Sequence, residues 1–279
     1  MRHFFHSYWK VILVLILLIV AAALFLRPDP ASAAPGLAER LRGHADAIAS
    51  GEHNTRQAAA LERTATYIET ELARAGYRIT RQVVAAGGQR VRNIEAVISN
   101  VAPGRKPERI FIVGAHVDAA RGAPGASDMG SGTAAVLELA RMLQSMQPAA
   151  GTEVRFVFFV NEEAPGFMES GRSNFIAFVG TLESSALVRE GLAAFRAASD
   201  FPAHGLAAPA HTTGVTLSDH SAYKRHGDPA LMVTDTAFMR YPYYHTNEDT
   251  ADKLDYESMA RVVTGLAKTI TGLAGAAKG

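Results

Sequence analysis

Two apolar stretches, RIFIVGAH (Arg109–His116) and VRFVFFV (Val154–Val160), constrain the fold of this chain more than any other feature. Both read as apolar strands, and the run of β-branched and aromatic residues in the first suits burial on both faces of a sheet. Between them the period changes: Val136, Leu139, Ala140 and Leu143 fall on one helical stripe within Ser131–Met146. Strands alternating with helices fold as an α/β sheet, and ligands collect at the strand ends of such sheets.

The flanking segments extend the pattern. Ala60, Leu61, Tyr67, Ile68 and Leu72 recur at roughly helical spacing between Thr55 and Ala75, and Gly76 follows as a C-cap. Arg78–Val84 and Val91–Ser99, separated by Ala86-Gly87-Gly88, read as two strands, and LMVTD (Leu231–Asp235) as another. After Asp255, the residues Met259, Val262, Val263, Leu266, Ile270 and Leu273 line one side of an amphipathic helix with a packing role. A chain of 279 residues with 48% hydrophobic content can bury a large core, so one α/β domain is expected over residues 38–279.

Arg2 and Lys10 precede VILVLILLIVAAALFL (Val11–Leu26), an uncharged span with no polar face. Residues 1–27 are therefore expected to form an N-terminal hydrophobic helix, either a membrane anchor or a signal peptide. Ala31-Ser32-Ala33 has the small residues of a cleavage site, while Tyr8 and Trp9 suit a membrane interface. Either way, positive charge ahead of the span directs the rest of the chain out of the cytoplasm. Residues 28–37 form a Pro/Ala linker. A net charge of +1 leaves no global field for nucleic acid, which is not an expected partner. Without cysteine there is no disulfide framework and no thiolate ligand, so any metal must be held by His, Asp and Glu.

Residues of those three types gather where strands should end. His116 and Asp118 close the first stretch, and Asp128 lies in the Gly-rich loop GAPGASDMGSG. Glu162 and Glu163 follow the second stretch, and His245 sits in YPYYHTNEDT. Imidazole and carboxylate bind zinc at about 2.0–2.2 Å, and one carboxylate can bridge two ions. Adjacent glutamates can divide the work because successive side chains diverge at a strand end. Glu163 would bind metal while Glu162, left free, takes a proton from water. Each residue alone has a plainer reading: paired glutamates usually mark a solvated strand end, and a lone histidine often serves the core. The Gly-rich loop could cradle a phosphate, but it lacks the Lys-Ser/Thr ending of a P-loop. Concurrence at separate strand ends favours the metal site.

The ordered segments GAHVDAARGAPGASDMGSGTAAVLELAR, FVFFVNEE, SDHSAY and PYYHTNEDTADKLD resemble the co-catalytic zinc aminopeptidases of bacteria, relatives of the glutaminyl cyclases. The resemblance extends over about residues 50–275. It implies a mixed, largely parallel central sheet flanked by helices, with two zinc ions at its carboxyl edge and peptides with a free amino terminus as substrates. It also implies roles. Asp128 bridges the ions, Glu163 and His245 complete one site, and His116 belongs to the other. Glu162 is the general base, and Asp118 orients His116. Asp219, in SDH, joins the hydrogen-bond network near the base; its plainer role is to cap a helix starting at His220.

One stretch departs from that family. There the paired glutamates lead into a helix and then a strand whose terminal acid supplies the last ligand of the second ion. Here only the eleven residues Ala164–Asn174 precede the next apolar run, too few for both elements. The departure reads as an internal deletion, with Glu169 and Glu183 as the available substitutes. One tight zinc on Asp128, Glu163 and His245 is expected, with a weak or vacant second site. The implied protein is an exported or membrane-anchored zinc aminopeptidase of impaired activity. A non-catalytic zinc-binding descendant and a single-zinc glutaminyl cyclase are the alternatives. Tyr243 or Tyr244 is the candidate donor to the oxyanion, and His53, His204, His211 and His226 are expected at the surface or in caps.

Overall fold

The computed structural model describes residues 34–163 and 175–275. The chain enters through α1 (Leu37–Ile48) and α2 (Ala58–Arg74). α1 escapes a periodicity reading because Gly43 interrupts it and polar His44 belongs to its buried face. α2 ends as its sequence dictates: Gly76 takes a φ of 88°, and the Tyr77 N–H donates to the Leu72 carbonyl at 3.0 Å, closing the last turn. The hairpin of β1 (Ile79–Ala86) and β2 (Gln89–Ser99) turns on Gly87-Gly88, whose φ values of 56° and 75° suit a two-residue connection.

β3 (Arg109–His116), α3 (Ser131–Leu143) and β4 (Thr152–Phe159) then make a βαβ unit in which β3 runs parallel to β4. These four strands form one sheet in the order β1-β2-β4-β3. The later chain supplies β5 (Ile176–Thr181), α4 (Ser185–Ala198), β6 (Ala203–Ala208), α5 (His220–Arg225), β7 (Leu231–Thr234), α6 (Ala237–Arg240) and α7 (Tyr256–Ala274). Its strands form a second sheet in the order β6-β5-β7.

The architecture is a mixed α/β fold with sheets flanked by helices, but not one largely parallel sheet. Among the described residues, pairings β1–β2, β2–β4 and β5–β7 are antiparallel, and β3–β4 and β5–β6 are parallel. The hairpin supplies two of the antiparallel pairings, since β2 runs against both β1 and β4. Among the described residues β3 and β7 each have a single strand neighbour, so the two sheets are not joined edge to edge. Residues Ile176–Thr181 are the centre of the second sheet and do not extend the first.

The β3 run is also not buried on both faces. Phe111 and Val113 pack on the core, while Ile110 and Ile112 are 46% and 41% exposed. Those two lie opposite Glu153 and Arg155 of β4, whose charges suit a watered face rather than an apolar layer.

The main core lies between the first sheet and α1, α2, α3 and α7, around fully buried Phe156, Phe158, Ile68 and Leu72. Each such side chain contributes roughly 1.5–3 kcal/mol on burial. α7 ties the halves together: Met259 and Ile270 join this core, while Val262 packs against the cluster of Ile176, Phe178 and Phe195. Asp255 caps α7, accepting from the Ser258 N–H at 3.0 Å. The helix expected over residues 1–27 lies outside the described residues, as does most of the expected linker. Among the described residues no helix is long and apolar enough to cross a membrane.

Candidate metal centre

Parallel β3 and β4 end side by side, with His116 opposite Phe159, so residues leaving both strands arrive at one edge of the sheet. The loop before α3 brings Asp128 to that edge, and the loop after α6 brings His245. The Asp128 carboxylate lies between two imidazoles. Its Oδ1 is 3.4 Å from His116 Nε2, and its Oδ2 is 2.7 Å from His245 Nε2. Glu163 Oε2 is 3.3 Å from the same His245 nitrogen, while Glu162 Oε2 is 3.9 Å from His116 Nε2. The adjacent glutamates therefore meet different histidines.

His116, Asp128 and Glu163 each offer a ligand atom within 4.8 Å of one another. Glu163 Oε1 is buried without a hydrogen-bond partner. A buried carboxylate oxygen normally finds a donor, so an orphan beside two imidazoles fits a cation as its missing partner. Imidazole and carboxylate donors suit zinc.

The charges explain the close contacts. Burial would lower the pKa of His245, but the Asp128 and Glu163 carboxylates outweigh it and hold the group at about 10. Burial opposes protonation of His116 too, yet Asp128, Glu162 and Asp118 keep it well above the ordinary histidine range. Against its own burial, Asp128 is held below the usual carboxylate range by the two imidazoles. Glu162 is pushed up to about 7 by burial, opposed by His116 and aided by Asp219 and Glu163. Burial raises Asp219 to about 6.

A pH dependence follows with a definite sign. With its folded pKa raised from 6.5 to about 10, protonated His245 stabilises the metal-free fold fully below about pH 6.5. That contribution is lost as pH rises through about 10. A metal ligand must shed this proton, so zinc affinity is expected to rise about tenfold per pH unit per proton released between roughly pH 6 and 8. Chelator-competition titrations across that range measure it; a flat profile contradicts the assignment.

Asp118 meets His116 through its main chain and turns its carboxylate to other partners. Its Oδ1 accepts from the Asn161 and Glu162 N–H groups at 3.0 and 3.3 Å, and its Oδ2 from the Glu163 N–H at 3.3 Å. It is the main-chain carbonyl of Asp118 that meets His116 Nδ1, at 3.0 Å, while the carboxylate stays 3.8 Å away. That carbonyl requires a proton on Nδ1 and leaves Nε2 to face Asp128. Three amides at the strand end capture the carboxylate in place of one imidazole.

The other candidates divide. Asp219 makes no side-chain capping bond at the start of α5, so the capping role is not realised. Its charge is instead felt by Glu162. Tyr244 stacks on His245 at 4.0 Å between ring centroids and 15° between planes, whereas Tyr243 packs against Tyr241 and Lys253. Glu183 is no substitute ligand: it is exposed and lies 3.8 Å from Lys224 Nζ. Glu169 lies outside the described residues. His204, His211 and His226 are exposed, but His53 is 2% exposed, its Nδ1 donating to the Gly51 carbonyl at 2.8 Å. Burial lowers its pKa.

Asp249 was not legible as a site residue, because an acid four positions after His245 in the polar run TNEDT looks like any solvated turn. It is 0% exposed. Its carboxylate accepts from the Ser127 N–H at 2.8 Å and the Asp128 N–H at 3.2 Å.

The model of Peptidase family M28 matches residues 93–199 and 168–270. "Uncharacterized protein YfbL" of Escherichia coli (strain K12) is 32% identical over 260 residues, covering 74% of this chain and 78% of that protein. "Probable leucine aminopeptidase 1" of Trichophyton verrucosum (strain HKI 0517) is 28% identical over 206 residues, covering 58% of this chain and 54% of that protein. The chain thus spans about half the length of the leucine aminopeptidase it matches. Among solved structures, an aminopeptidase from Aneurinibacillus sp. strain AM-1 superposes with a TM-score of 0.66 at 15% identity, over 86% of this chain and 94% of that one. A glutaminyl cyclase of Fimbriiglobus ruber gives 0.65 at 18% identity, over 87% and 98%. These two likenesses concern the fold.

Proposed function

Since the chain belongs to peptidase family M28, we propose that it is a zinc-dependent aminopeptidase working with one tightly held ion. The observation that carries this reading is the Asp128 carboxylate set between His116 and His245, with the orphaned Glu163 Oε1 beside them. Asp128, Glu163 and His245 would hold the tight ion. Among the described residues, His116 and the shared Asp128 have no third partner for another besides Glu163, which the tight ion would take. Zinc would supply Lewis acidity, acidifying water and polarising a peptide carbonyl.

The chain's own groups do the rest. Glu162, poised at about 7, takes the proton of the attacking water and returns it to the leaving amine. The hydroxyl of Tyr244, kept protonated by burial and by the nearby Asp128 charge, donates to the oxyanion. The substrate is a peptide with a free amino terminus.

Two observations support a shortened second site. Only residues 164–174 separate Glu163 from Phe175. The alignment with the Escherichia coli protein runs over 260 residues yet covers 74% of this 279-residue chain, about 206, so roughly fifty aligned positions have no residue here. Activity is therefore expected to be low. Export from the cytoplasm belongs to the same reading, supported by Arg2 and Lys10 ahead of Val11–Leu26. Recovery of the full chain in the cytoplasmic fraction of expressing cells would contradict it.

A second reading is glutaminyl cyclisation, favoured by the single complete ligand set and by the Fimbriiglobus ruber likeness. One experiment separates the two: the zinc-loaded full chain is given an aminoacyl 4-nitroanilide and a peptide with N-terminal glutamine. Release of nitroaniline is the expected result. Cyclisation without hydrolysis selects the second reading, and no turnover with either substrate favours a non-catalytic zinc-binding descendant.

A further inference from the structure

We propose that Asp249 is a positioning residue that locks the loop carrying Asp128 onto the loop carrying His245, so that two ligands of the tight ion are placed as one unit. The inference rests on the metal-centre reading above.

Three consecutive amides of the Asp128 loop end on this one residue. The Ser127 and Asp128 N–H groups bond its carboxylate, and the Ala126 N–H donates to its main-chain carbonyl at 3.1 Å. Buried amides in a loop need acceptors, and here a residue from a different loop provides them. The other end is equally tied. The Asp249 N–H donates to the Thr246 carbonyl at 3.2 Å, and the Thr246 N–H to the Tyr243 carbonyl at 3.0 Å, so His245 and Asp249 share one tight turn. Moving the Asp249 carboxylate therefore moves Asp128 relative to His245. Metal constellations tolerate only about 0.5 Å of misplacement.

Asp249 acts through the main chain. Both of its oxygens accept from amides, and it does not belong to the group of His116, Asp128 and Glu163 whose ligand atoms lie together, which makes it a brace and not a ligand. It mirrors Asp118, whose carboxylate holds the amides of residues 161–163 in the same manner. The loops of Asp128 and Glu163 are thus each fixed by an acid that belongs to another ligand's loop. A carboxylate is required, because an amide in its place would turn an N–H toward one of the two donors.

The test uses Asp249→Asn in the full chain. Zinc affinity is expected to fall about 10- to 100-fold, and the visible absorption bands of the cobalt-saturated variant are expected to shift. A purely structural role would lower the thermal midpoint but leave the bands of the saturated, folded protein unchanged. Unchanged affinity together with unchanged bands overturns the proposal. A second measurement needs no variant: in the wild-type chain the Ser127 and Asp128 amides should be strongly protected from hydrogen exchange, with and without zinc. Exchange at the rate of an open loop overturns the brace. A wild-type chain that binds no metal but protects these amides would remove the metal-centre reading and leave the brace standing.

Discussion

Glu162→Gln is expected to lower peptidase turnover by about 100- to 10,000-fold, the usual contribution of a positioned general base, while zinc content stays unchanged. The two halves of this result come from geometry. Glu162 touches the cluster only at 3.9 Å from His116 Nε2, so its carboxylate is not needed by Asp128, Glu163 or His245. An isosteric amide leaves those contacts in place and removes the group that accepts the proton. The wild-type pH profile should agree. Burial sets Glu162 at about 7, and a bound cation favours its ionised form, so the acidic limb of kcat should lie below pH 7 and disappear in the variant. Steady-state kinetics with metal analysis on the same samples reads both. Zinc lost along with activity would make Glu162 a ligand and contradict the division of labour between the glutamates.

Asp128→Ala should have the larger effect on binding, because it removes a partner from both histidines at once. Zinc affinity is expected to fall by more than about 100-fold, beyond the loss typical of an outer partner. The metal-free protein should also change. His116, 3% exposed, loses its nearest carboxylate and keeps only the more distant ones of Asp118 and Glu162, at 3.8 and 3.9 Å, so the cost of burying its charge is less fully offset. Its pKa should drop, as should that of His245, and imidazole resonances followed by NMR through a pH titration measure both. Retention of one tight zinc, or unmoved histidine titrations, would mean that Asp128 does not bridge the two sides.

What could be read from the sequence is what side-chain type and period encode. The β-branched runs and the helical stripe between them give β3, α3 and β4, and Gly87-Gly88 marks the hairpin turn. The convergence of His116, Asp128, Glu163 and His245 was legible because their types are rare together at strand ends, and the structure brings the four into one cluster. The division into two sheets was not legible, since edge pairing is decided by distant segments. Nor was the exposure of Ile110 and Ile112, whose composition matches that of a doubly covered strand. Asp118 and Asp249 act on main-chain amides, and a bond to an amide leaves no pattern in residue types. His53 lies inside for the same reason: its partner is a carbonyl.

The number of ions the cluster holds tightly decides whether Asp128, Glu163 and His245 form one site by themselves. Equilibrium dialysis of the full chain against zinc, followed by brief exposure to a weak chelator and metal analysis, counts them directly. One zinc per chain is predicted, lost in His245→Ala and weakened only slightly in His116→Ala. Two ions of equal tenacity, or none, would contradict it.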